Sequence, residues 1–250
     1  MSRGTDLAVT NPKLASLAPT WARYRGVSLL FDNPGTRPPP GVVPLEAIPV
    51  ERPEQQRLYD DLAAEVADDD VLRARHGLCP LPRHSYHVTV CDGPNERDGR
   101  RPIAALLAGL PDSLHDLAAD PDLFPAADTV AEIAVNPVTL VVSGVAVWGH
   151  VLAAQLAPAG AADRAALARV ATARDALVAA LWARLRLRVQ QWRPHVSLGY
   201  FPNRDAAAAA AAALPARYAS LPGRLTAPIT FSSAALHGFT DMASFHRLGT

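Results

Sequence analysis

The tetrapeptide His87-Val88-Thr89-Val90 returns later in the chain as His195-Val196-Ser197-Leu198. Both copies sit in short runs rich in β-branched and aromatic residues, His84 to Cys91 (HSYHVTVC) and Trp192 to Phe201 (WRPHVSLGYF), so both predict strands. On a strand, alternate side chains share a face. His87, Thr89 and Cys91 then lie together in front of Val88 and Val90, and His195 and Ser197 lie in front of Val196 and Leu198. The apolar backs suit a core, and the histidine-hydroxyl fronts suit a cleft between two lobes. One such tetrapeptide is a weak signal, but two copies in a chain of this size arise by chance roughly once in a hundred.

The surroundings of the two copies repeat as well. In the first half, Tyr24 to Phe31 predicts a strand, Asn33 to Gly41 a proline-rich loop, Val42 to Ile48 a second apolar run, and Pro53 to Ala67 a helix with Leu58, Leu62 and Val66 on one stripe. The first tetrapeptide follows, then a polar loop from Asp92 to Arg101 and short proline-broken helices over 102–131. In the second half, Pro137 to Trp148 and Val151 to Leu156 predict strands. Ala161 to Leu187 predicts the longest helix, with a mostly apolar stripe through Leu167, Val170, Arg174, Leu177, Val178, Leu181 and Leu185. The second tetrapeptide comes next, then an alanine-rich helix over Arg204 to Leu214 and one or two strands within Leu225 to Gly238. Each half therefore reads strand, helix, then a strand carrying the tetrapeptide. Residues 1–23 read as a tail or cap.

Composition narrows the function. Hydrophobic residues make up 49% of the chain and the formal net charge is zero. That allows a packed core and excludes the global basic field that holds long nucleic acid. The basic residues are arginine except for Lys13, which reads as compositional bias, although an arginine fork suits phosphate oxygens. Cys79 and Cys91 are too few for a disulfide framework or a zinc site. Neither a signal-peptide core nor an apolar run near the roughly 20 residues of a membrane span is present. The expectation is a cytoplasmic monomer with no membrane partner.

Two histidines and two hydroxyls suit phosphodiester hydrolysis. One histidine takes a proton from water, the other gives one to the leaving oxygen, and both work near neutral pH. Thr89 and Ser197 can donate to the non-bridging oxygens, where charge develops. No metal or other cofactor is required.

These two segments resemble the 2H phosphoesterase superfamily, which includes bacterial 2′-5′ RNA ligase-like proteins and cyclic nucleotide phosphodiesterases. The match lies in Pro194-His195-Val196-Ser197-Leu198-Gly199-Tyr200 and in Leu81-Pro82 ahead of Ser85-Tyr86-His87-Val88-Thr89-Val90. The resemblance implies an α+β fold: bilobal, with two antiparallel sheets related by a pseudo-two-fold duplication, helices on the outer faces and the active site in the central cleft. Residues 24–250 would form that single bilobal domain, with lobes of about 24–131 and 132–250 that can exchange strands. It also implies metal-independent cleavage of a phosphodiester, often a 2′,3′-cyclic phosphate. His87 and His195 become acid and base, and Thr89 and Ser197 the phosphate binders. The working assignment is His195 as base and His87 as acid, with the roles interchanging according to which oxygen leaves. The expected partner is a small nucleotide or a short RNA end.

Other residues are weighed against plainer roles. Tyr86 and Tyr200 read as core packing before substrate contact. Arg193 shares the His195 face and reaches a phosphate or a surface ion pair. Cys91 lines the cleft or fills a small buried gap. Arg97, Arg100 and Arg101 close over a nucleotide or form a solvated cluster. Three competing functions use the same residues: a nucleotide-binding protein of the same fold, an RNA-end ligase running the reverse reaction, and a histidine metal site. The last lacks the third ligand that a catalytic metal usually has.

Overall fold

The computed structural model describes residues 7–17, 20–95, 137–185 and 191–248. Among them are twelve strands: β1 (Leu14–Ser16), β2 (Thr20–Trp21), β3 (Gly26–Phe31), β4 (Val42–Pro44), β5 (Cys79–Pro80), β6 (Thr89–Asn95), β7 (Val138–Trp148), β8 (Val151–Pro158), β9 (His195–Tyr200), β10 (Ile229–Phe231), β11 (Ala234–Phe239) and β12 (Phe245–Leu248). The helices are α1 (Arg57–Ala67), α2 (Ala161–Leu185), α3 (Arg204–Tyr218) and the short α4 (Leu221–Arg224). The helices expected over 102–131 and the arginines at 97, 100 and 101 lie outside the described residues.

The strands form two five-stranded sheets and one small hairpin, β1-β2. One sheet runs β4-β12-β11-β3-β6 and the other β10-β7-β8-β9-β5, with antiparallel pairing throughout. This is the mixed α+β architecture with two antiparallel sheets that the sequence implies. The sheets do not divide the chain at its middle. β11 and β12, from the C-terminal end, complete the sheet of β3 and β6, and β5, from the first half, edges β9.

Apolar alternation builds both sheets around one continuous core. β3 is buried at every residue, as a strand covered on both faces must be. Leu58, Leu62 and Val66 of α1 are buried on the expected stripe. Arg174 shares the buried side of α2 with Ala166, Val170, Leu177 and Val178, and its Nε donates to the Val90 carbonyl at 3.0 Å. The end of α1 is tied to α3 by buried Asp69, which accepts from Arg217 and from the Tyr218 hydroxyl at 2.8 Å. Gly199 is required where β9 meets β5, because a Cβ there would stand 2.7 Å from the Cys79 carbonyl oxygen. No described helix is long and apolar enough to cross a membrane.

Local expectations change in five places. The predicted strand His84 to Cys91 is a 3₁₀ turn, Arg83–Ser85, followed by a strand that starts only at Thr89. Pro82 introduces the turn, and Ser85 N–H and Oγ both donate back to its carbonyl. The predicted polar loop at Asp92 is instead the continuation of β6, since pairing with β3 reaches Asn95 opposite Gly26. Backbone pairing with a neighbour outweighs the weak strand propensity of Asp, Gly, Pro and Asn. Residues 42–48 are a three-residue strand and a 3₁₀ turn rather than one run. The alanine-rich helix extends through Pro215 to Tyr218. The N-terminal stretch is a docked clip: Thr10 and Asn11 N–H donate to the Pro202 carbonyl, and the buried Asn11 side chain donates to Phe201 O at 2.8 Å.

Candidate active site

The two tetrapeptides meet directly. Val88 and Val196 form an isolated antiparallel bridge, and both are fully buried. An antiparallel pair centred on them sets His87 across from Ser197, and Thr89 across from His195, on the face opposite the valines. Directly opposed residues sit about 5 Å apart at Cα, and the two histidines become diagonal neighbours at roughly 7–8 Å. The four residues the repeat singled out thus share one patch, with a local two-fold between them.

The two rings are held in the same way. His87 Nδ1 lies 2.7 Å from the Ser85 carbonyl oxygen, and His195 Nδ1 lies 2.8 Å from that of Arg193. A carbonyl only accepts, so each Nδ1 carries the proton and donates, leaving Nε2 as the basic nitrogen of the neutral ring. Each ring also rests on an aromatic neighbour. His87 packs on Phe245 with centroids 4.4 Å apart, and His195 meets Trp148 edge-on at 4.9 Å.

The electrostatics differ between the two. Burial drives the His87 pKa down to about 3, and the charges of His237, His195 and Lys13 push the same way against its hydrogen bond to Ser85. Burial lowers His195 too, but its bond to the Arg193 carbonyl and the nearby Asp92 carboxylate oppose the fall. Both rings are neutral in the resting cleft at pH 7. An anion between them favours the protonated form.

A cavity of about 310 Å³ opens beside the patch, with Thr89, Asp92, Trp148, Arg174, Trp192, Arg193 and His195 in its wall. Trp192 Nε1 donates to the Thr89 carbonyl at 2.8 Å, which fixes one motif against the chain leading into the other. A larger cavity of about 1140 Å³ lies along the 32–38 loop, Arg57, Arg224 and Arg247, and none of the four motif residues lines it. Its arginines are committed to carboxylates in part, Arg247 to Asp32 and Arg224 to Glu65. The smaller cavity is therefore the one that Thr89 and His195 line.

The remaining sequence candidates fall in different places. Arg193 is exposed at the cavity wall and donates to Gln191 Oε1 at 3.2 Å, while its carbonyl holds His195. Tyr200 lines the inter-sheet region with its hydroxyl donating to Met242 Sδ. Tyr86 is 1% exposed and packs edge-on against Tyr59, inside the core. Cys91 is 4% exposed and points inward, because a bulge sets Thr89 and Cys91 opposite the consecutive residues Leu30 and Leu29. The bulge brings Asp92 to the cavity wall where simple alternation puts Cys91. Burial raises the Cys91 thiol to about 12, and neither cysteine is in a disulfide.

Sequence reasoning missed Asp92, Trp148 and Lys13, and weighed His237 only as a substrate contact against a plainer exposed role. His237, on β11, is 1% exposed and repeats the ring arrangement of the motif histidines, with Nδ1 2.9 Å from the Ala235 carbonyl oxygen. Lys13, in the N-terminal clip, sets its Nζ over Tyr24 and Tyr200, and its charge lowers both motif histidines. Its signal in the sequence was that every other basic residue is arginine. No group of three or more His, Cys, Asp or Glu side chains gathers in metal-binding geometry among the described residues.

No family model matches the chain, and no curated protein matches it in sequence. Among solved structures it resembles ATU0111, a conserved protein of unknown function from Agrobacterium tumefaciens str. C58, with 16% identity and a TM-score of 0.57 over 95% of this chain and 90% of that one. The fold is shared. Weaker likenesses are to E. coli LigT complexed with 3'-AMP (13% identity, TM-score 0.43, 91% and 96% coverage) and to Kluyveromyces marxianus Usb1 (12%, 0.42, 90% and 97%).

Proposed function

We propose that the chain is a metal-independent phosphodiesterase of the 2H kind, opening a nucleotide or RNA-end phosphodiester such as a 2′,3′-cyclic phosphate. The observation that carries this reading is the Val88–Val196 bridge, which joins two separate tetrapeptides so that each histidine opposes the other's hydroxyl. Binding alone has no use for two rings tethered alike through Nδ1.

The phosphate anion enters between two neutral rings and raises the proton affinity of both, so one takes up a proton as substrate binds. The charges favour His195 as that acid, because Asp92 supports its cation, and His87 as the base, because its pKa is the lower. This reverses the working assignment from the sequence. His87 Nε2 removes a proton from water, the water oxygen bonds to phosphorus, and the bond to the leaving ribose oxygen breaks. His195 gives that oxygen its proton, leaving a phosphomonoester and a restored hydroxyl. Proton exchange with solvent resets both rings. Thr89 and Ser197 hydroxyls donate to the non-bridging oxygens.

The test is turnover of the four 2′,3′-cyclic nucleotides and a 2′-5′-linked dinucleotide, with and without EDTA. Chelator-resistant conversion to a monoester supports the reading, and the product names the leaving oxygen. Activity lost on chelation and restored by a metal ion sinks it, as does inactivity on all five substrates.

A further inference from the structure

We infer that Lys13 is a phosphate-binding residue of this same cleft, supplying the positive charge that the two tetrapeptides lack. Its ligand, a phosphate oxygen, rests on the phosphodiester reading above. In both tetrapeptides the groups facing the patch are imidazoles and hydroxyls, which are neutral at rest, whereas phosphodiester attack builds charge on the non-bridging oxygens.

Lys13 is the only lysine in the chain, and its placement is constructed rather than incidental. Its backbone N–H donates to Asn11 Oδ1 at 3.0 Å, and its carbonyl accepts from Ala22. The segment before it is stitched to the end of β9, the strand that carries His195, and Tyr24 N–H donates to the Thr240 carbonyl beside the other sheet. The clip therefore holds Lys13 between the end of β9 and the chain that follows β11. Its Nζ stands over the rings of Tyr200 and Tyr24, 4.9 and 5.3 Å from their centroids, and 3.4 Å from the Tyr200 hydroxyl.

Among the described residues no carboxylate lies within ion-pair distance of this ammonium. Asp92 acts on it only at longer range. A half-buried cation held by two ring faces and one hydroxyl keeps hydrogen-bonding capacity, since an ammonium has three donors. Burial pulls its pKa down, yet the two tyrosines and Asp92 more than offset this, so it is charged at neutral pH. The register shift in β9 sets Ser197 opposite Ala153 and Tyr200 opposite Val151, so the Tyr200 that Nζ bonds lies on the same face as Ser197, and the charge of Lys13 lowers both His87 and His195.

Because the lysine is unique, reductive ¹³C-methylation of the full chain labels it and the α-amine alone and keeps its charge. Lys13→Arg identifies the signal. Titration with inorganic phosphate should move the Lys13 resonance saturably. Calorimetry should show phosphate binding weakened roughly ten- to a hundredfold by Lys13→Met and largely kept by Lys13→Arg, the range expected for one charged hydrogen bond. In Lys13→Met, the histidine limbs of the pH profile should move to higher pH, since the lost cation had lowered both. A resonance that phosphate leaves unmoved, or equal phosphate affinity in wild type and Lys13→Met, overturns the inference. Should wild type turn over no diester while Lys13 still titrates with phosphate, the catalytic reading falls and the anion site stands. Should Lys13→Met prove unstable, the resonance titration on wild type decides alone.

Discussion

The two tetrapeptide segments are alike in chemistry and unlike in setting. Both tie Nδ1 to a carbonyl two residues upstream and both lean on an aromatic ring. The first copy leaves a 3₁₀ turn and joins its strand only at Thr89, with His237 and Phe245 close by. The second lies wholly within β9, beside Asp92 and Trp148, at the mouth of the cavity. One sequence motif thus yields two proton affinities, because affinity is set by burial and neighbouring charge rather than by the motif itself. A symmetric pair of residues acquires an asymmetric pair of proton affinities.

The largest test breaks both halves of the pair. His87→Ala and His195→Ala should each lower kcat on the order of a hundredfold or more, as for an acid or a base. The double variant should lose little beyond either single, since the two act as a unit. If either single variant keeps wild-type turnover, the paired mechanism is wrong.

A smaller change separates the two roles. Asp92→Asn removes the charge that supports protonated His195, so the His195 limb of kcat/KM should move to lower pH while the His87 limb moves less. A loss of roughly tenfold at pH 7 is expected as the protonated fraction of His195 falls. Equal displacement of both limbs would contradict the asymmetry. Thr89→Val and Ser197→Ala should cost similar amounts, roughly tenfold or somewhat more each, from one hydrogen bond apiece to an anionic oxygen. A large effect of only one would place the developing charge on its side of the two-fold.

The smallest expected effect is on folding. His87 and His237 are held neutral with pKa values of about 3 and about 4, against about 6.5 unfolded. The unfolded chain therefore binds more protons below pH 6.5, and stability is full above that pH and falls as pH drops toward 4. Each histidine adds a slope of up to about 1.4 kcal/mol per pH unit in that window. Denaturant titrations at pH 7, 6 and 5 should show the decline, and His237→Gln should flatten it. A pH-independent midpoint would mean these rings are not held neutral.

Much of the fold was legible because local pattern and tertiary demand agree in it. Leu58, Leu62 and Val66 mark α1 by their spacing, apolar runs mark β3, β7 and β8, and the repeated tetrapeptide marks β9 and the candidate chemistry. Where they disagree, the sequence misleads. Asp92 to Asn95 has turn composition but completes β6, because β3 offers it a backbone ladder. Cys91 alternates onto the cleft face on paper but is turned inward by a bulge that no single-strand pattern reveals.

The sequence alone determined which side chains could move protons and that they come in two matched sets. Residue type and period-2 spacing are local properties, written in consecutive positions. Only the tertiary structure decided that the sets face each other through Val88 and Val196, and that C-terminal strands β11 and β12 complete the first sheet. It also brought Asp92 to the cavity wall and set His237 and Lys13 near enough for their charges to act on His87. Those outcomes depend on contacts between residues distant in the chain, where burial and charge act through space and leave no trace in sequence order.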